Sequence, residues 1–313
     1  MKCKKLNYLS IVPAFFCFLF LNTLFLSADE GNKDIVNVNG KIEIDYENTD
    51  EANSPSQIKP GAIEVGIGIS PAENVSGNIL LRPDAEADNN GDILDEATIT
   101  IEKLQNSPLT LTAGKTVMPF GIFNSHLISD PQTKNWETNQ TGLIIAYPTG
   151  VVTFEAAIYD NQDPTSDAIG YATKISAAPI EGLNASISYK AESDQTADDE
   201  ILSDLSANVE YTLGQMTLEA EYVGASGRPS GNSKPTTYFG SIAYQTADPL
   251  EIAAKYEGYK DDDSTADGIK SIVAGGINYR LAENTTLSFE YSVTSYDVAD
   301  SVNGTFCKLT LEY

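Results

Sequence analysis

Alternation at period two runs through nearly the whole chain, and no other feature constrains its fold as much. Leu183, Ala185, Ile187 and Tyr189 are interleaved with Asn184, Ser186, Ser188 and Lys190. The same spacing sets Leu205, Ala207, Val209, Tyr211 and Leu213 apart, and again Leu250, Ile252, Ala254 and Tyr256. Successive side chains of a strand point to opposite faces, so each segment predicts a strand with one apolar and one polar side. No segment after residue 30 keeps a helical period, and none is apolar enough to cross a bilayer as a helix. Two architectures accept such strands. One is an antiparallel sheet with one face on a core; the other is a membrane barrel with lipid outside and water inside.

The connections separate the two. About sixteen strands are expected, at residues 35–48, 57–69, 73–82, 92–103, 108–117, 137–147, 150–160, 167–179, 183–191, 201–213, 215–223, 235–245, 249–259, 267–281, 284–296 and 301–313. Between them, tight turns alternate with longer polar segments such as 83–91, 192–200, 224–234 and 260–266. The tyrosines fall in the apolar phase near both ends of the strands. Tyr147, Tyr211, Tyr244, Tyr279 and Tyr313 lie towards the short turns, and Tyr46, Tyr171, Tyr189, Tyr222, Tyr238 and Tyr256 towards the long ones. Two aromatic rings are what a bilayer's two interfaces select. The fold class implied is all-β, a transmembrane antiparallel β-barrel of about 16 strands with short periplasmic turns and longer external loops. Unpaired amides are costly in lipid, so the sheet must close, and sixteen strands leave a water-filled lumen. No length remains for a separate plug domain, so an energised receptor for large chelates is not expected.

The ends of the chain fit export. Lys2, Lys4 and Lys5 precede an apolar run from about Leu9 to Leu26 and then small residues near Ala28, so residues 1–28 read as a signal peptide and 29–313 as the barrel. The final segment puts Cys307, Leu309, Leu311 and Tyr313 on one face, a pattern resembling the assembly signal that barrel proteins present to the barrel-assembly machinery. The expected surroundings are outer-membrane lipid and lipopolysaccharide. Acidic residues number 45 against 19 basic, a net charge of −26, which argues against a nucleic-acid partner. Only Cys307 remains beyond the signal segment, so no internal disulfide is expected.

The exception to short polar connections is the stretch 114–147. It holds the only histidine, His126, and the only tryptophan, Trp136. Residues 118–136, the third external loop, contain seven large apolar side chains: Met118, Phe120, Ile122, Phe123, Leu127, Ile128 and Trp136. Such side chains are costly on a surface, and nineteen extended residues reach about 60 Å, enough to fold back into the lumen. The loop is therefore expected to constrict the pore, with Phe120, Phe123, His126, Asp130, Lys134, Trp136 and Glu137 as constriction or ligand contacts. The polar phase supplies the lumen charges Glu155, Lys190, Glu210, Glu219, Glu221, Glu251, Lys255 and Glu290. An acidic excess implies mild cation preference. The plainer reading is that these charges pair across the wall and keep loops solvated.

Little else carries chemistry. Ala113-Gly114-Lys115-Thr116 imitates the end of a phosphate loop, but Leu109 stands where its first glycine belongs, on a strand rather than before a helix. His126 with Asp130 and Glu137 is a thin donor set, so no metal site and no cofactor are assigned. Asp261, Asp262 and Asp263 read as a solvated loop. One histidine gives no serine–histidine–acid pattern, and no enzymatic activity is expected.

Within the same stretch, Gly114-Lys115, Pro119-Phe120-Gly121, Phe123, Ile128-Ser129-Asp130-Pro131, Thr133 and Glu137-Thr138 resemble the signature segment of the LbtU-type siderophore porins. The likeness spans about 25 residues; Gln132 replaces an expected leucine and Trp136 an expected small residue. It implies an outer-membrane channel for siderophore-linked iron uptake without a plug. The residues by themselves leave three readings: that channel, a general cation-preferring diffusion porin taking small solutes, or a structural or adhesive barrel. A homotrimer is a further expectation. The short external loops favour transport.

Overall fold

A computed structural model describes residues 35–51, 54–83, 93–160, 169–193, 201–228, 234–260 and 268–313. The expected signal peptide, the acidic run at Asp261 and most of the long polar connections lie outside the described residues. The chain forms sixteen strands. These are β1 (Val36–Thr49), β2 (Gln57–Ala72), β3 (Val75–Leu81), β4 (Leu94–Ile101), β5 (Thr110–Val117), β6 (Asn139–Thr149), β7 (Val152–Asp160) and β8 (Ile169–Ile180). There follow β9 (Leu183–Ser193), β10 (Ile201–Leu213), β11 (Met216–Gly227), β12 (Thr236–Ala247), β13 (Leu250–Lys260), β14 (Ile269–Ala282), β15 (Thr285–Tyr296) and β16 (Val302–Glu312). Each pairs antiparallel with its sequence neighbour, and β1 pairs with β16, so the sheet is a closed barrel.

The seam shows how side chains reinforce closure. Ile42 opposes Leu311 and Ile44 opposes Leu309 on the outer face, while Lys308 donates to Glu43 at 2.9 Å on the inner one. The apolar phase faces outward on every side. Ile187, Ile158 and Val273 are each more than half exposed, which is the arrangement for lipid rather than for a buried core. The tyrosines occupy both ends of that surface, and Tyr171–Tyr189 and Tyr238–Tyr256 form adjacent ring pairs at 6.2 and 6.1 Å.

Two details differ from the sequence expectation. Strands β3, β4 and β5 are shorter than expected, at 7, 8 and 8 residues. Between β4 and β5 the chain turns through a 3-10 segment at Leu104–Asn106, flanked by Lys103 at φ 50° and with Asn106 at φ 61°. The Ser107 hydroxyl donates to Leu104 O at 2.7 Å, so local bonds replace the strand ladder there. The second difference is a 3-10 segment at Gln132–Trp136, inside the long loop.

The outward position of Ile187 near the middle of β9 allows a direct check. Ile187→Arg is expected to cost about 2–4 kcal/mol of folding stability in lipid, measured by equilibrium unfolding from vesicles. A loss well under that range would mean this face does not meet hydrocarbon.

Candidate functional site

The connection from β5 to β6 runs inside the barrel, and its first part is held by an aromatic core. Phe120 and Phe123 are nearly fully buried with Val223 of β11, and Trp136 packs on the same cluster. Met118 joins Ala157 and Tyr159 of β7 and Ala172 of β8 in a second one. These wall residues occupy the inward phase, which is otherwise polar, so apolar side chains here mark where the loop docks. Gly121 has φ 65°, and a Cβ there would collide with the Phe123 ring. Phe123 itself has φ 60°, a conformation that costs a bulky residue about 1–3 kcal/mol and persists only when its surroundings impose it.

Those surroundings are hydrogen bonds from the wall. Ile122 and Phe123 donate their backbone N–H groups to the two carboxylate oxygens of Glu221, at 2.9 and 3.2 Å. Gly121 N donates to Ser188 Oγ at 3.0 Å, and Lys174 Nζ donates to Gly121 O at 2.6 Å. Lys190 reaches Trp136 O and Thr138 Oγ1, both at 2.9 Å, with its ammonium 5.0 Å from the Phe120 ring centre. Charge-assisted bonds of this kind are about twice as strong as neutral ones.

The later part is clamped the same way. Glu290 accepts from Ser129 N and Ser129 Oγ, and Glu257 accepts from Gln132 N. Lys255 donates to Ser129 O at 2.8 Å and pairs with Glu257 at 2.8 Å. Trp136 Nε1 donates to Thr237 Oγ1 at 3.1 Å. The middle of the loop is tied by His126, whose Nδ1 lies 3.4 Å from Glu251 and whose Nε2 lies 3.7 Å from Glu219. Its backbone carbonyl accepts from Asn278 at 2.8 Å. The Glu251 hydrogen bond holds the imidazole above its ordinary value, outweighing burial, with the Glu219 charge adding to it.

The polar anchors belong to β8, β9 and β11–β15, and β7 adds the apolar contacts of Met118. The opposite wall is left clear. Between it and residues 125–134 lies a cavity of about 520 Å³ bordered by Lys41, Glu43, Glu64, Arg82 and Lys308. These charges alternate and pair across neighbouring strands: Lys41 with Glu64 at 3.1 Å, Arg82 with Glu64 at 3.5 Å and Lys308 with Glu43 at 2.9 Å.

The sequence candidates divide accordingly. His126, Asp130 and Lys134 border the cavity. Phe120 and Phe123 are buried against the wall, and Trp136 is packed beside them. Glu137 pairs locally with Lys134 at 3.6 Å. His126 meets Glu219 and Glu251, and those wall carboxylates, rather than Asp130 or Glu137, are its ion-pair partners among the described residues. Of the lumen charges, Lys190, Glu221, Lys255 and Glu290 are buried and engaged by the loop. Glu155 stands opposite Lys174 in the β7–β8 register, and Glu210 accepts from Asn184 at 3.2 Å. Sequence reasoning missed the clamping role of Glu221, Glu257 and Glu290. Its signal was present: Tyr159, Val223 and Phe239 break the polar phase of the wall beneath the loop.

A family model described as Gram-negative porin matches residues 23–299. The chain belongs to the Gram-negative porin family. The family indicates an outer-membrane channel rather than an enzyme. Solved structures share its fold at low identity. A loop-deletion form of OmpT, an outer membrane protein of Vibrio cholerae, has a TM-score of 0.70 at 14% identity, covering 89% of this chain and 99% of that one. OmpF of Salmonella typhi, in complex with daunomycin, has 0.72 at 13%, covering 89% and 97%. The outer membrane channel DcaP of Acinetobacter baumannii has 0.68 at 14%, covering 89% and 97%. A UPF0422 protein of Legionella pneumophila strain Lens is 28% identical over 124 residues, 36% of this porin and 23% of the relative. The porin thus spans under a quarter of that relative's length.

The Glu221 clamp gives a test. Glu221→Ala orphans the N–H groups of Ile122 and Phe123, at about 1–3 kcal/mol per buried group. Hydrogen exchange at these two amides is expected to quicken at least tenfold, with the barrel strands unchanged.

Proposed function

We propose that residues 118–136 narrow the channel, and that small hydrophilic solutes pass between this loop and the wall of β16, β1, β2 and the end of β3. The observation that carries this reading is the 520 Å³ cavity between the loop's 125–134 stretch and that wall. Its volume suits a small molecule or a hydrated ion. The net charge of −26 favours a mild preference for cations at the mouth, while the cavity itself is lined by both signs. Deletion of residues 122–135 is expected to raise single-channel conductance severalfold in a planar bilayer. Unchanged conductance would refute the constriction.

A finer reading is siderophore-linked uptake, which the 114–138 resemblance implies. Lys41, Arg82, Lys134 and Lys308 at the cavity favour it, because a carboxylate-bearing iron chelate finds cationic partners there. Iron uptake from a carboxylate chelate by a deletion strain carrying this porin is expected to exceed that of the strain carrying an empty vector. Equal uptake leaves the general, cation-preferring porin.

We also propose a homotrimer, held through the outer face of β2–β5. V. cholerae OmpT is described in a trimer form. Here, residues 47–119 contain no aromatic side chain, whereas every strand outside β2–β5 carries one or is directly followed by one. With 7 or 8 residues, β3–β5 are also shorter than the roughly 9–11 that a tilted strand needs to cross hydrocarbon. A sector without an interface belt and too low for the bilayer is suited to a second copy. Ile99→Trp, at an outward position 61% exposed, is expected to yield folded monomers in mild detergent; an unaltered trimer would count against this face.

A further inference from the structure

The loop is fastened at three places, and they differ in chemistry. The first anchor, at residues 120–123, uses Glu221, Lys174 and Ser188. The third, at residues 129–136, uses Glu290, Lys255, Glu257 and Thr237. Both are made by carboxylates, ammonium groups and hydroxyls bound to backbone groups or to the Trp136 ring nitrogen. The middle anchor is different. Its side-chain tie is an imidazole between two carboxylates on separate strands, Glu219 of β11 and Glu251 of β13. This stretch is also the one that borders the cavity, through Ser125, His126, Leu127, Ile128 and Asp130.

We propose that His126 is a positioning residue for the channel, a proton-operated latch that sets the calibre of the gap beside it. When the imidazole is charged, its Nδ1–H donates to Glu251 and its Nε2–H faces Glu219 as an ion pair at 3.7 Å. A neutral ring has one donor and one lone pair, so it can satisfy only one of them and turns its lone pair towards the other. The released proton goes to lumen water. Glu251 then keeps its bond from Asn278 at 2.9 Å, and Glu219 keeps its bond from Ser241 at 2.6 Å. Besides the Ser125 hydroxyl bonds to Leu127 and Ser129 within the loop, residues 125–128 keep towards the wall the Asn278 bond to His126 O and the approach of Leu127 to Gly276, where a Cβ would meet the leucine side chain. The stretch next to the cavity loosens and moves into it, while the two outer anchors hold. This rests on the reading of residues 118–136 as the constriction.

The direction with pH follows from the groups around the ring. Glu251 by hydrogen bond, then Glu219, Glu251 and Glu210 of β10 by charge, raise the imidazole above 6.5 against the opposing effect of burial. Across the cavity stand Lys41 and Arg82, which share Glu64, and Lys308, which pairs with Glu43, and on the loop itself Asp130 and Lys134. A raised value means that the clasp is complete below pH 6.5 and is lost as pH climbs through the higher folded value. Alkaline, not acidic, conditions release it.

His126 is the only histidine in the chain, so its ring can be followed directly. The full-length porin, purified without a histidine tag and labelled with carbon-13 histidine, is expected to show one ring signal titrating with a midpoint above 6.5 in detergent micelles. Glu219→Gln and Glu251→Gln are each expected to lower that midpoint. In planar bilayers, wild-type conductance is expected to fall and open-channel noise to rise between pH 6 and pH 9. His126→Gln is expected to abolish that step while inserting normally as a folded barrel. A midpoint at or below 6.5, a flat wild-type profile, or a step that survives His126→Gln would overturn the latch. Deletion of residues 122–135 tests the constriction separately, so the two failures are told apart.

Discussion

Everything in this molecule depends on leaving no backbone amide unpaired in lipid. An open edge in hydrocarbon costs several kcal/mol per unsatisfied group, so strand β16 must return to β1. That requirement turns the usual distribution of side chains inside out. Ile187, Leu205 and Ile242 face outward, and the carboxylates and ammonium groups face a common interior. Closure therefore creates the lumen, and the lumen creates a polar wall of fixed geometry on which something else can be built.

What is built there is the long loop, and its anchoring follows from the same rule. A non-helical segment at membrane depth is tolerated only where its backbone groups are satisfied by protein or water. Residues 118–136 meet this condition largely by borrowing wall side chains. Glu221 takes two backbone N–H groups, Glu290 and Glu257 take others, and Lys174, Lys190 and Lys255 give to carbonyls. Each charge spent in this way is a charge removed from the solvated channel. The acidic excess of the inner phase therefore overstates the field a passing ion would meet, because much of it is directed at the loop.

The fold was legible in the sequence because its signal is repeated sixteen times. Period two, alternating connection lengths and tyrosines at both strand ends each point to the same barrel, and strand limits fall within a few residues of those expected. The loop was legible as an insertion, since Phe120, Phe123 and Trp136 had no reason to sit in a surface connection. Its contacts were not. Glu221 lies about a hundred residues from the amides it binds and Glu290 about 160, and nothing local to either segment specifies the pairing. The aromatics accordingly became anchors buried at the wall, whereas His126, Asp130 and Lys134, expected alongside them, border the cavity.

The division of labour between the two walls follows from that asymmetry. On the side of β8–β15, Lys190, Glu221, Lys255, Glu257 and Glu290 are buried and bound to backbone groups of the loop. On the side of β16–β3 the charges neutralise one another strand by strand, Lys308 with the buried Glu43 and Lys41 with the partly solvated Glu64. An alternating row of this kind produces a field that decays over the spacing of its own charges, so it acts on a solute in contact and hardly on one at a distance. The extended acidic field arises from groups not committed to such pairs. On the proposed reading of the loop as the constriction, attraction of an ion to the mouth and discrimination at the gap would be separable properties, set by different residues of one barrel.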